Sequence, residues 1–519
     1  MDKIKKFYRI YIVVLAVAGS ALALFITLPF GAGVSSDAMR NLAVAANFLG
    51  GKGLFDYIGS PFLWWPPLYP FTLAFISKLT RLDLFRVGWL LNVVVFGFNI
   101  WLAGLLFQRI FAGKIIYAYL NTFVVFISLA LLKVSTNIAS DPLFISFILL
   151  WFILWGDWDG KKKSTLAWLI LLAALSAVQR LLGVILIGSG GLLILIRFRK
   201  ELFKAVFTAG VFGVFSFLPL AGWLYGHNYL GYHTFFGPRS YQQMLPWQNF
   251  LNSNGKVLDW FFPYYSLQRL FPYWFGVVLI LMLVLVFVHK KETWLAWLRA
   301  ISGSHVAPFL LFSVVYYSIL MFTIDSYDQR YAFSDRYQTV ILFSLLTVFT
   351  LTFDKLVLVL IKTKTRQLTG VLLVFFACWC LYPAYNLSKY VNNSRQNGES
   401  TYNLYNTRAY HQSAILGETQ KILAREPDAN IYSNVPGAVW FYTRHSLINL
   451  LPKYSWSKDD LKKKRAGWPK DKPGYIIWFE PDPYEIFFTP KDLMLIAELK
   501  VVSQTPDGTI YYVTQRGAP

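Results

Sequence analysis

Charge is scarce in this chain: 15% of its 519 residues are Asp, Glu, Lys or Arg, with 27 acids against 49 bases. Water-soluble domains carry about 25% charged residues, so composition excludes a cytosolic globular protein. Cysteine is scarcer still, and two residues cannot build a disulfide framework. The six histidines are scattered, and neither a fixed-period repeat nor a low-complexity tract is present. Disorder is excluded from the other side, because 56% of the residues are hydrophobic and the mean hydropathy is +0.46. What the chain has in excess is apolar and aromatic, with 18% Phe, Trp and Tyr, a composition suited to long membrane interfaces. A net charge of +22 would point to nucleic acid if the basic residues gathered on one soluble face. They lie instead in small clusters between apolar runs, which excludes nucleic acid as a partner.

Those runs, of roughly 15 to 23 residues, recur over 7–385 and match the length a helix needs to cross a bilayer core of about 30 Å. The first follows Lys3, Lys5 and Lys6, which places the N-terminus in the cytoplasm. A cleaved signal peptide is the rival reading, but the run exceeds a typical signal core. Basic clusters at Arg109/Lys114, 161–163, 197–204, Lys290/Lys291/Arg299 and 355–366 then mark cytoplasmic loops. Between them fall spans at about 84–107, 115–133, 141–156, 164–178, 181–196, 205–225, 273–289, 305–324, 337–353 and 367–385. That makes eleven crossings, provided that 66–79 is a juxtamembrane or re-entrant helix; splitting a later segment gives thirteen. The fold class is therefore a polytopic α-helical protein of the cell (inner or plasma) membrane, over 1–385, with external loops 31–83 and 226–272.

Residues 386–519 turn polar and read as a separate extracytoplasmic α/β domain. A helical pattern covers 408–425, strand-like runs cover 431–435 and 475–479, and 501–505 and 509–513 flank Pro506-Asp507-Gly508 as a hairpin.

Ionisable residues near mid-membrane usually mark ion or proton pathways, and the expected spans have almost none, which counts against a coupled transporter. The isolated charges fall at the outer ends of spans: Asp37, Asp141, Arg180, Asp325, Asp328, Arg330, Asp335 and Arg336. Acids and arginines converging on one face of an apolar body suit a substrate that is part anionic head and part lipid tail. Asp37 follows Ser35 and Ser36 at the start of an amphipathic helix ended by Gly50-Gly51, so it reads both as a capping acid and as a general base. Asp141, in Ser-Asp-Pro, reads as a helix start and as a carboxylate on the face of Asp37, able to orient an acceptor or share a divalent metal. No third ligand stands at metal-binding spacing, so a metal stays open. Arg180, in a tight apolar turn, either snorkels to lipid head groups or binds phosphate. Arg330 and Arg336, beside Tyr331 and Tyr337, read as interfacial anchors or as a phosphate clamp. The aromatic loop 226–272 fits a sugar site and an interfacial belt equally.

The acid after the first span, the Trp64-Trp65-Pro66-Pro67-Leu68-Tyr69-Pro70 segment, the acid before a later span, the arginine turn and the distal Arg-Tyr loop together resemble the GT-C glycosyltransferases. The nearest likeness is to the bacterial branch of protein O-mannosyltransferase-like and aminoarabinose transferase-like proteins. It spans about 1–385, and the tail segment IYSNVPGAVWFYT is similar to the domain appended to many of them. The resemblance implies sugar transfer from a polyprenyl-phosphate donor to a lipid, glycan or protein acceptor outside the membrane, with Asp37 as base and no certain cofactor. It also implies a substrate groove around Trp64, Trp65, Pro66, Pro67, Tyr69, Tyr331 and Tyr337. Where some relatives carry Asp-Glu, this chain has Asp37-Ala38, and where some carry lysine before the paired prolines it has Trp65. Donor charge then falls to Lys52, Arg180, Arg330 and Arg336. A lipid-linked glycan transporter and a non-catalytic membrane scaffold are the alternatives of a different class.

Overall fold

The computed structural model describes residues 2–237, 246–263, 305–323, 335–360, 365–398, 403–453, 468–469 and 473–515. Contacts divide the chain into two compact units, one of 1–28, 63–69 and 88–395, the other of 29–62, 70–87 and 396–519.

The first unit is helical. It contains α1 (Asp2–Thr27), α4 (Leu84–Ile110), α5 (Ile115–Phe126), α6 (Leu129–Ser135), α7 (Asp141–Asp157), α8 (Lys163–Gln179), α9 (Val184–Arg197) and α10 (Leu202–Gly222). Helices Pro246–Asp259, Val306–Thr323, Leu342–Leu360 and Thr365–Asn397 follow. Four described helices are long and apolar enough to cross a membrane, five if the pair α5 and α6 counts as one. The expected single span at 115–133 is that pair, bent by 47°. Its cause is local: Ser128 N–H bonds back only three residues to Val125, and the Ser128 hydroxyl then caps α6 at Leu131. α10 leaves Phe203, Phe207, Val214 and Phe215 exposed, which suits a lipid-facing surface. α7 is apolar all round and buries Phe144, Ile148, Trp151 and Phe152 in the core. The expected span at 273–289 lies outside the described residues, as do Arg330 and Tyr331.

The second unit contains α2 (Ser36–Leu49), most of α3 (Leu68–Thr80), and the C-terminal sheet. α3 has 13 residues, which rise about 20 Å, too short for a bilayer core. Strands β1 (Asn430–Ser433), β2 (Gly474–Phe479), β3 (Ala497–Thr505) and β4 (Gly508–Gln515) form one sheet in the order β1-β2-β4-β3. β1 and β2 are parallel, and the β3–β4 hairpin turns at Pro506-Asp507. Asn434 continues the first pairing past the end of β1, donating to the Phe479 carbonyl and accepting from its N–H. Tyr432, Ile476, Trp478 and Val513 make the core beneath the sheet. The sequence places a domain boundary at 385, whereas the preceding helix runs on to Asn397. Segments 29–62 and 70–87 join the same unit as the tail.

Candidate active site

The first turn of α7 supplies a carboxylate, and the sequence around it fixes where that carboxylate points. Pro142 sits in the first turn, where its missing N–H costs nothing. Two buried asparagines of α4 hold the approach: Asn92 donates to the carbonyls of Asn137 and Ala139, and Asn99 donates to that of Pro142 at 2.9 Å. Ser146 donates to Asn99 at 2.7 Å, and Gln179 at the end of α8 donates to the Ser140 carbonyl at 2.9 Å. The entry to α7 is thus tied to α4 and α8 through amides. The side chain of Ser140 makes no capping bond, and that of Asp141 is used elsewhere.

Asp141, 2% exposed, sits between two guanidiniums. Arg336 Nε donates to its Oδ2 at 2.6 Å, and Arg180 Nη1 pairs with Oδ1. Arg180 reaches it because α8 ends there in extended backbone and the chain turns through Leu181–Gly183. A Cβ on Gly183 would strike the backbone of Ser176 and Ala177, so this close turn requires glycine. Tyr337 lies under both arginines, its ring centre 5.2 Å from the Arg180 guanidinium and 5.9 Å from that of Arg336. The Tyr316 hydroxyl donates to the Tyr337 carbonyl at 3.2 Å. Two planar guanidiniums set side by side by one buried carboxylate make a preorganised array of N–H donors of the kind that suits a phosphate.

Asp141, Arg180, Arg336 and Tyr337 therefore come together. Arg180 and Arg336 are ion-paired and largely buried, not loose head-group anchors. The divalent-metal role sketched for Asp141 does not fit, because its oxygens accept from two cations that would repel a third. Among the described residues no group of three or more His, Cys, Asp or Glu gathers at metal-holding distance. Pro66, Pro67 and Tyr69 are buried in the same unit, and the Trp64 and Trp65 rings lie partly exposed, 6.4 Å apart. Asn92, Asn99, Gln179 and Tyr316 were not anticipated, since amides and tyrosines inside apolar helices carry no distinguishing spacing.

Asp37 and Lys52 belong to the second unit. Asp37 lies in the first turn of α2, capped by Ser35 at the Ala38 N–H, and its carbonyl takes the Asn41 amide at 2.8 Å. Gly50 closes the helix and Gly51 follows with a positive φ of 69°. Further along the same loop, Asp56 is buried, accepts from the N–H groups of Ile58 and Ser60, and faces Arg40 at 3.6 Å. Burial pushes its carboxyl up, against the opposing pull of Arg40 and the two N–H groups.

Comparison of structures gives this arrangement a context. ArnT from Cupriavidus metallidurans, in the apo state, matches with a TM-score of 0.61 over 96% of this chain and 97% of its own, at 13% identity. The same protein bound to undecaprenyl phosphate matches at 0.58 and 12% identity over the same shares. At these identities the matches show a shared fold. The oligosaccharyltransferase AglB from Archaeoglobus fulgidus, in complex with an inhibitory peptide and a dolichol-phosphate, matches at 0.52 and 12% identity. That match covers 86% of this chain and 64% of AglB. No family model and no curated protein matches the sequence.

Proposed function

We propose that this chain is an integral-membrane glycosyltransferase of the GT-C type that moves a sugar from a polyprenyl-phosphate donor to an acceptor hydroxyl on the extracytoplasmic face. The observation that carries the reading is the buried Asp141–Arg180–Arg336 cluster, which holds two guanidiniums side by side over the Tyr337 ring. A fold shared over nearly the whole length with a protein solved on undecaprenyl phosphate supports it. In this reading the Asp37 carboxylate takes the acceptor hydroxyl proton. The oxygen bonds to the anomeric carbon as the bond to the lipid phosphate breaks, which inverts that carbon. The phosphate leaves with the electron pair, and Arg180, Arg336 and Arg330 stabilise its growing charge. Lys52 adds charge near the donor, and Trp64, Trp65, Pro66, Pro67, Tyr69 and Tyr337 belong to the groove. Asp141 acts as a positioning residue that presets both guanidiniums.

The test is transfer itself. Purified wild type and Asp37→Asn are incubated with radiolabelled polyprenyl-phosphate sugars and membrane extract, and label is followed into a second molecule. Wild type transfers label, and the variant inserts normally but loses about a hundredfold or more of the rate. Full activity in the variant removes Asp37 as base. Label that crosses a proteoliposome chemically unchanged in both proteins makes the chain a transporter.

A further inference from the structure

Strand β3 is an outer strand of its sheet: one side pairs with β4, and among the described residues no strand pairs with the other. Such an edge invites a further strand unless it is guarded, commonly by a charge or a bulge. Both guards occur here, and neither closes 497–501. The bulge comes later, where the register slips between Val501 and Ser503. The charges come as a pair on one face, Glu498 and Lys500, 3.3 Å apart with side chains 54% and 74% exposed. Ala497 and Leu499 lie on the other face, over the core of Tyr432, Ile476 and Val513. Val501 ends that apolar row, opposite Tyr511, and is 61% exposed; Val502 beside it is 48% exposed. An apolar row that runs out to an open edge is a surface in want of a cover.

The stretch is complementary to itself. Two antiparallel copies of β3, related by a two-fold axis through Leu499, set Glu498 of each copy opposite Lys500 of the other, and Ala497 opposite Val501. One face of the seam then alternates in charge, and the other is a continuous apolar row. Sliding the copies by two residues sets Glu498 opposite Glu498 or Lys500 opposite Lys500, and sliding by one exchanges the faces, so charge and pleat both oppose the neighbouring registers. We propose that β3 is the contact edge between two copies of this chain, joined through 497–501 as one antiparallel sheet. A partner of another sequence would have to supply the alternation that β3 already carries. The inference stands whether or not the chain transfers sugar.

The full chain, with Cys378 and Cys380 replaced by serine, tests it in phosphatidylcholine liposomes at low protein density. Two differently tagged populations, one Glu498→Cys and one Lys500→Cys, are reconstituted together and oxidised. A disulfide joins the two tags about fivefold more than it joins copies within either population, because opposed residues fall within disulfide reach and the diagonals, about 7–8 Å, do not. With the cysteines at 498 and 500 left out, energy transfer between copies labelled on an N-terminal tag reads association. Glu498→Lys lowers it about tenfold, and Glu498→Lys/Lys500→Glu, which restores the alternation, returns it. Both side chains are exposed, so neither change disturbs the fold. Cross-linking of Glu498→Cys to Lys421→Cys, an exposed site elsewhere in the tail, at the rate seen with Lys500→Cys means random collision and overturns the proposal. So does a chain that stays monomeric, or one whose association ignores both charge changes. A bimane label on Val501→Cys that brominated lipid quenches also overturns it, since the edge would then rest on the bilayer.

Discussion

A carboxylate held between two guanidiniums behaves differently from one that is free to bind substrate. Removing it takes from two largely buried guanidiniums the carboxylate they share, so Asp141→Ala is expected to destabilise the protein by about 3–5 kcal/mol, read as a lowered midpoint of thermal unfolding in detergent. Arg336→Lys is the milder probe, since charge is kept and the planar fork is lost while Arg180 still partners Asp141. In a transfer assay it raises the donor KM about tenfold and leaves the acceptor KM unchanged; equal loss for both substrates would mean general damage. The charges themselves were visible in the sequence, because an Asp or Arg at the edge of an apolar run stands out. Their partnership was not. Asp141 and Arg336 are 195 residues apart, and nothing local distinguishes a carboxylate that caps a helix, binds a metal or holds an arginine. The structure decides among these through Asn92, Asn99 and Gln179, which fix the entry to α7 and so aim the carboxylate.

At the scale of elements, close packing and burial set what each helix tolerates. α1 and α4 meet over small residues: a Cβ on Gly97 would strike Ser20 and the Ala16 carbonyl, and one on Gly104 would press on Ile12. Gly97→Val therefore forces the pair apart and costs about 1–3 kcal/mol, measurable as a lower unfolding midpoint, whereas Gly188→Ala, with open space around it, costs little. In the second unit, Asn406 gives both amide hydrogens to the Phe30 and Ala32 carbonyls, so its oxygen accepts from His411 Nε2 at 2.8 Å. Burial holds the His411 pKa below the ordinary 6.5. The unfolded chain then binds the proton more readily, so this contribution to stability is present above about pH 6.5 and is lost as pH falls through the lowered value. Protection of the amides at 30–34, corrected for the intrinsic pH dependence of exchange, should fall as pH drops below 6.5, and His411→Gln, which keeps a donor, should flatten that response. Hydropathy reads the limits of several described apolar helices, such as α4 and α7, to within about three residues, since apolar length is a local property. It averages over the break at Ser128, and it is blind to the grouping of 29–62 with the tail, which rests on distant contacts.

At the scale of the molecule, the two ends of the helical unit differ in charge character, and this bears on sidedness. Arg109 at the end of α4 pairs with Asp157 at the end of α7 at 2.7 Å, and Arg197 at the end of α9 lies 5.1 Å from the ring of Trp155. Lys114 at the start of α5 pairs with Asp354 at 2.5 Å. Among the described residues, Arg109 and Arg197 of these basic clusters thus collect at the end of α7 carrying Asp157, while Asp141, Arg180 and Arg336 occupy the opposite end. Sixteen residues of helix separate the two ends by about 24 Å, most of a bilayer core. By the positive-inside rule, the expected arrangement has the Arg109 end in the cytoplasm and the Asp141 end outside. Single cysteines, introduced after replacing Cys378 and Cys380, test this. Position 139 is a poor site because Ala139 is buried and its carbonyl takes Asn92. Lys421→Cys and Lys500→Cys, both on exposed side chains of the tail, should react with an impermeant thiol reagent on intact cells. Lys161→Cys, in the exposed turn between α7 and α8, should react only after permeabilisation. The reverse pattern would place the Asp141 cluster in the cytoplasm, within reach of nucleotide-activated sugars, and would remove the main reason for preferring a lipid-linked donor.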